Sequence, residues 1–294
     1  MQVTEINHLD VPPNNHGEGI IWIEKTNQLA WVDVFEDPGV RILNLNSKEL
    51  KTIAVLGPIT SIAPHLSGGF VAGMNGGFYL ISPHDDPVHL VSPKGMHKNE
   101  LLNDGRCDSR GRYLCSSMDI KMKDEIGKIY QVSSDGKIKI LDENFIVGNG
   151  IAFSPEEDIV YISDSRKDII WQYDYNILNG AISNKRLFFS SVNLTGRPDG
   201  AAIDAHGNYW SCLFEGGSVV CIDHITGQIR KNITLPVTYP TMCTFGGQKL
   251  DRLYVTTSKR LLSRLELRKQ PMAGKILEIS NLGVVGSDSA KYAA

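Results

Sequence analysis

Three oxygen-bearing side chains share nearly the same local setting: Gly17-Glu18-Gly19, Gly148-Asn149-Gly150 and Asp199-Gly200. Flanking glycine lets the backbone turn sharply and approach a common point closely. Two carboxylates and a carboxamide brought together form a hard oxygen donor set. Such a set suits Ca²⁺, Mg²⁺ or Mn²⁺. Zn²⁺ or Fe²⁺ can also enter it, although zinc favours His or Cys. Converging carboxylates repel unless a cation or a proton intervenes. Taken one at a time, each residue is better explained as a turn residue satisfying loop backbone. The combination of Glu18, Asn149 and Asp199 points to one bound divalent cation.

Other chemistries leave no trace. There is no GxSxG nucleophile elbow, no P-loop, no GxGxxG and no HExxH. His16, His65, His84, His89 and His97 are scattered. His16 and His65 fall near places where a site could open, but a surface position is the simpler reading of each. Asp108, Asp164 and Asp204 fall at turns or strand ends, where structural roles are expected.

The elements that would position the three ligands are strands. Short runs rich in β-branched and aromatic residues occur at 28–34, 69–73, 113–116, 159–163, 209–213 and 252–256, each preceded by turn residues. Asp135-Gly136 reads as a hairpin turn between 130–132 and 137–141. The runs recur. One template fits segments starting at Glu18, Thr60, Asn103, Asn149, Asp199 and Thr241, at intervals of 42, 43, 46, 50 and 42 residues. A four-stranded propeller blade has a period of about 40–45 residues. The expected fold is therefore all-β, a six-bladed β-propeller with four-stranded blades and an axial metal site, spanning 1–294 as one domain. Strands at 3–6 and 275–279 are expected to close one blade together, removing an open edge. Residues 286–294 read as a frayed tail, and 258–270 as a solvated loop with some helical character.

Equivalent positions in a propeller form a ring around its axis. Here the ring reads Glu18, Thr60, Asn103, Asn149, Asp199 and Thr241. Every member carries a side-chain oxygen. Thr60 and Thr241 are expected to support the site or line its wall.

Composition narrows the function classes. Apolar residues make up 41% and charged residues 21%, enough to bury a sizeable core. The net charge of −3 gives no basic face for nucleic acid. No apolar run is long enough to span a membrane, and the first residues do not read as a signal peptide. The five cysteines, Cys107, Cys115, Cys212, Cys221 and Cys243, include no CxxC and read as reduced, mostly buried thiols. That usage suggests a cytoplasmic protein. The Asn193 and Asn232 sequons read as chance.

The motifs HGEGIIW (16–22), LNDGRCDSRGRYLCSSM (102–118), NGIAFSPEEDIVYISDS (149–165), RPDGAAIDAHGNYW (197–210), FGGQKLDRLYVTTS (245–258) and PMAGKILEI (271–279) together resemble the SMP-30/gluconolactonase group. The resemblance spans nearly the whole chain. It implies a six-bladed propeller with one axial divalent ion held by Glu18, Asn149 and Asp199. It implies a substrate contact at Asn103 and hydrolysis of a lactone, such as a sugar-acid lactone, with Asp199 as base. Two substrate positions depart from the sugar-lactone pattern: Leu101 stands where an arginine is common, and Lys121 follows Ser116-Ser117-Met118 where an acid is common. Asn103, Leu101 and Lys121 are thus the expected substrate contacts. A less polar ester substrate, or a calcium-binding propeller without catalysis, fits the same ring. The expected partner is a small-molecule lactone, with no nucleic acid and no membrane.

Overall fold

A computed structural model describes residues 3–287 of the chain. Its strands form six four-stranded antiparallel sheets. The innermost strands are Gly17–Ile23, Ile59–Pro64, Glu100–Cys107, Gly148–Phe153, Arg197–Ile203 and Pro240–Gly246. They contact one another in cyclic order, and the last returns to the first. The molecule is a six-bladed β-propeller, as the repeat implies. All six strand runs read from the sequence are second strands of blades, for example Gln28–Asp33 and Tyr209–Phe214.

Burial grades outward along each blade. The innermost strand Gly148–Phe153 is buried throughout, whereas the outermost Ala181–Ser190 alternates between half-buried and exposed positions. The core lies between neighbouring blades. Ile21, Val32 and Val40 of the first blade pack with Ile62 and Phe70 of the second. Trp22 and Trp31 pack with Met242 and Tyr254 across the ring closure. Each fully buried side chain of this size contributes roughly 1.5–3 kcal/mol.

The closure joins the two ends of the chain. Glu5–His8 pairs antiparallel with Leu277–Ser280, with Glu5 opposite Ser280 and His8 opposite Leu277. The expected shared blade therefore forms, displaced by about two residues along both strands. Asn14 adds a side-chain bond to the Gly274 carbonyl at 2.8 Å. Gly286 and Ser287 correct the expectation of a tail from 286. Their amides donate to the carbonyls of Leu250 and Ile203. The rest of that tail lies outside the described residues.

The segment 258–270 is also more ordered than a solvated loop. Residues Arg264–Lys269 form a short α-helix. Ser263 caps it, accepting from the Glu266 amide while the Glu266 carboxylate accepts from the Ser263 amide. All five cysteines are buried and free. Among the described residues no helix is long and apolar enough to cross a membrane.

Candidate functional site

One irregularity recurs in all six blades. The pairing of the innermost strand with the next slips by one residue at or beside each ring position. The breaks fall at Glu18/Ile21, Ile59/Ser61, Leu102/Gly105, Asn149/Ala152, Pro198/Ala201 and Pro240/Cys243. A bulge leaves one residue unpaired and re-aims its neighbours. Six bulges at equivalent positions therefore re-aim the side chains at the ring positions. Gly19 and Gly150 lie within these breaks at φ of +58° and +56°. A side chain in that conformation is strained, which explains glycine after Glu18 and after Asn149.

The bulges form the floor of a cavity of about 330 Å³, with Glu18, Thr60, Asn103, Asn149 and Asp199 among its lining residues. Thr241 is fully buried and does not line it. Its hydroxyl donates to the Gly17 carbonyl at 2.6 Å, locking the last blade to the residue before Glu18.

Asn149 donates from Nδ2 to Asp199 and to Ser165 Oγ. Asn103 donates from Nδ2 to the Gly148 carbonyl at 2.9 Å, and its carbonyl oxygen has no partner among the described residues. Among the described residues Glu18 accepts only from the Gly19 amide, at 3.1 Å. Burial, then the nearby Asp199 and Asp104, push the Glu18 carboxyl well above its ordinary value. Burial, then Asp104, do the same to Asp199, against the pull of Asn149. Neither acid has a salt bridge among the described residues.

Asp104 is a buried acid of the site that sequence reasoning missed. It accepts from the Gly105 and Ile151 amides, both at 2.8 Å. Burial raises its carboxyl, although Arg106 opposes this. The bulge after Leu102 turns both Asn103 and Asp104 inward. Strict strand alternation would have sent one of them away.

Two further positions differ from expectation. Lys121 is exposed and does not line the cavity, whereas Ile120 and Met122 do. The cause is Asp119, whose carboxylate accepts from the amides of Lys121, Lys123 and Asp124 and fixes the loop. Leu101 does line the cavity. His16 is a wall residue rather than a surface one, since Nδ1 lies 2.9 Å from Ser258 Oγ and the ring packs against Phe35 and Phe214. Burial, helped by Arg260, lowers its pKa to about 4 and keeps the ring neutral. Arg260 and Leu261, from the segment expected to be solvated, also line the cavity.

Asp108, Asp164 and Asp204 take the structural roles expected of them. Asp164 accepts from the Ile146 and Val147 amides at 2.9 and 3.1 Å, just before Asn149. Asp33 clamps Asn15 and His16 in the same way before Glu18, at 2.8 and 3.0 Å. The strands that carry Glu18 and Asn149 thus enter the floor over equivalent carboxylate clamps.

Residues 16–259 match the model of the SMP-30/gluconolactonase/LRE-like region. The chain belongs to this family. It is 32% identical to rabbit (Oryctolagus cuniculus) regucalcin over 292 residues, covering 96% of this chain and 97% of that one. It is 30% identical over 259 residues to the Bacillus subtilis (strain 168) protein named "Putative sugar lactone lactonase YvrE", covering 88% of each. A luciferin-regenerating enzyme of solved structure superposes with a TM-score of 0.91 at 26% identity, covering 99% of this chain and all of that one. The SMP-30/gluconolactonase fold is thus shared along the full blade array.

Proposed function

We propose that this protein is a metal-dependent lactonase. The observation that carries the reading is a pair of carboxylates at the floor of an open cavity, Asp199 buried and Glu18 half-buried, both raised in pKa and neither in a salt bridge among the described residues. Membership of a family with lactonase relatives supports it.

The donor set fits a divalent cation. Among the described residues no group of three or more His, Cys, Asp and Glu is disposed to hold a metal. The cation would therefore rest on Glu18 and Asp199 together with the amide oxygen of Asn149. Rotation of the Asn149 amide by 180° would exchange Nδ2 for Oδ1 at Asp199. A bound divalent cation polarises a carbonyl and acidifies water.

The chain's own residues do the rest. Asp199 stands at the floor as the base that removes a proton from the attacking water. Asn103 holds its place through Gly148 and offers its other end to the substrate. His16, kept neutral, adds no competing charge beside Glu18. The apolar wall sheds water around the reacting ester, which strengthens the electrostatics at the floor.

The test is lactone hydrolysis followed by pH-stat, with and without chelator, re-adding Ca²⁺, Mg²⁺, Mn²⁺, Zn²⁺ and Fe²⁺ singly. Turnover abolished by chelator and restored by one metal is the expected result. Stoichiometric cation binding with no turnover on five- and six-membered sugar and alkyl lactones would overturn the lactonase reading and leave a calcium-binding propeller.

A further inference from the structure

The upper part of the cavity differs in chemistry from its floor. Leu101, Met118, Ile120 and Met122 form one wall, and Phe35 and Phe214 stand in another. Ile120, Met122 and Leu261 remain 50%, 47% and 57% exposed at the mouth. Apolar side chains cannot hydrogen-bond the hydroxyls of a sugar, and a polyol would lose its water there without compensation. These walls suit an apolar substituent. They are also fixed before any ligand arrives, because Asp119 cages the loop that carries Ile120 and Met122.

Three arginines line the same cavity: Arg166, Arg197 and Arg260. Arg197 is engaged by Glu215, with Asp168 at 3.8 Å. The side chains of Arg166 and Arg260 form no ion pair among the described residues. Arg260 lies over the Phe35 ring, 3.9 Å from its centroid. Stacking engages the face of a guanidinium and leaves its N–H edge available for a bidentate acceptor. The mouth therefore holds two unpaired cations on a protein whose net charge is −3.

We propose that the substrate of this cavity has an apolar body and carries a carboxylate remote from the reacting ring, received by Arg166 and Arg260. This rests on the lactonase reading for the reacting group, but the recognition of body and anion stands on the walls and the rim alone.

The experiment pairs two assays. In the first, a γ-lactone with an alkyl arm ending in a carboxylate is compared with the same lactone ending in a primary amide. The carboxylate form is expected to have about a tenfold higher kcat/KM, as for charge-assisted hydrogen bonds at an exposed rim. The R166Q/R260Q double variant should erase that ratio through KM, whereas K121Q, outside the cavity, should preserve it. In the second assay, calorimetry follows 6-phenylhexanoate and 6-phenylhexanamide binding to cation-loaded and cation-free protein. The acid should bind better in both states, and the double variant should remove the difference.

Equal kcat/KM for the two lactones, or a preference unaffected by R166Q/R260Q, would overturn the proposal while leaving lactonase activity in place. A carboxylate preference that vanishes with the cation would also overturn it, since the floor would then be the anion site. Arginine-dependent binding of 6-phenylhexanoate without turnover of any lactone would sustain the proposal and remove the lactonase reading instead.

Discussion

Two sets of buried carboxylates in this propeller differ in what surrounds them. Asp108 and Asp204 are fully buried at hairpin turns. Asp108 accepts from the amides of Arg110 and Arg112, the Arg112 guanidinium and the Tyr175 hydroxyl. Asp204 accepts from the amides of His206 and Asn208 and from the Trp210 indole. Asp199, 6% exposed, accepts from one side-chain amide and the neighbouring Gly200 backbone. Burial is thus common to both sets, and unsatisfied charge separates them. The turn acids are surrounded by donors of the fold, whereas Asp199 has few.

The sharpest way to break this comparison is at Asp199. Asp199→Asn should lower lactone turnover by roughly 10²–10⁴-fold, the range for loss of a general base, with little change in the urea midpoint. Asp199→Ala should remove both cation binding and activity. Full turnover in Asp199→Ala would refute the mechanism. At a turn acid the opposite pattern is expected. Asp108→Ala leaves the half-buried Arg112 guanidinium with the Ile177 carbonyl but without its carboxylate and should cost about 3 kcal/mol in urea unfolding, while calorimetry still shows cation binding. If Asp108→Ala were neutral in stability, the division between the two sets would fail.

A smaller effect comes from the ligand. A cation at about one hundred times its Kd should stabilise the wild type by roughly 2.7 kcal/mol, read as a chelator-dependent fall in Tm. Asp199→Ala should show no such fall. The smallest effect concerns Glu100, another satisfied acid, which accepts from Tyr130, Ser117, the His97 amide and Lys128. Burial pushes its carboxyl up, but these bonds outweigh it and hold the pKa below its ordinary value. A lowered folded pKa gives stability that is full above the unfolded value and lost as pH falls through the folded one. Wild type should therefore lose more stability than Glu100→Gln on titration from pH 5 downward; identical acid limbs would show Glu100 to be unimportant.

The repeat was legible because blade period places equivalent residues at equivalent heights, and side-chain oxygens recur there from Glu18 to Thr241. Lys121 was misplaced because its loop follows the Asp119 cage, which no strand periodicity encodes. Asp104 was missed because a bulge turns two consecutive residues inward. His16 was read as a surface residue because its partner Ser258 lies 242 positions away. The same distance hid Arg260. What escaped sequence reading is what depends on bulges and on the meeting of chain ends.

That meeting has a consequence for the order of assembly. During synthesis the N-terminal blades emerge first and can begin to pack. The strand Glu5–His8 has no partner until Leu277–Ser280 is made, and Gly17 lacks the Thr241 hydroxyl until the last blade is begun. Glu18 is made before every other ring residue, yet it is among the last to acquire its final neighbours. A nascent chain lacking only its final strands would hold most of its hydrophobic packing while the ring stays open beside Glu18.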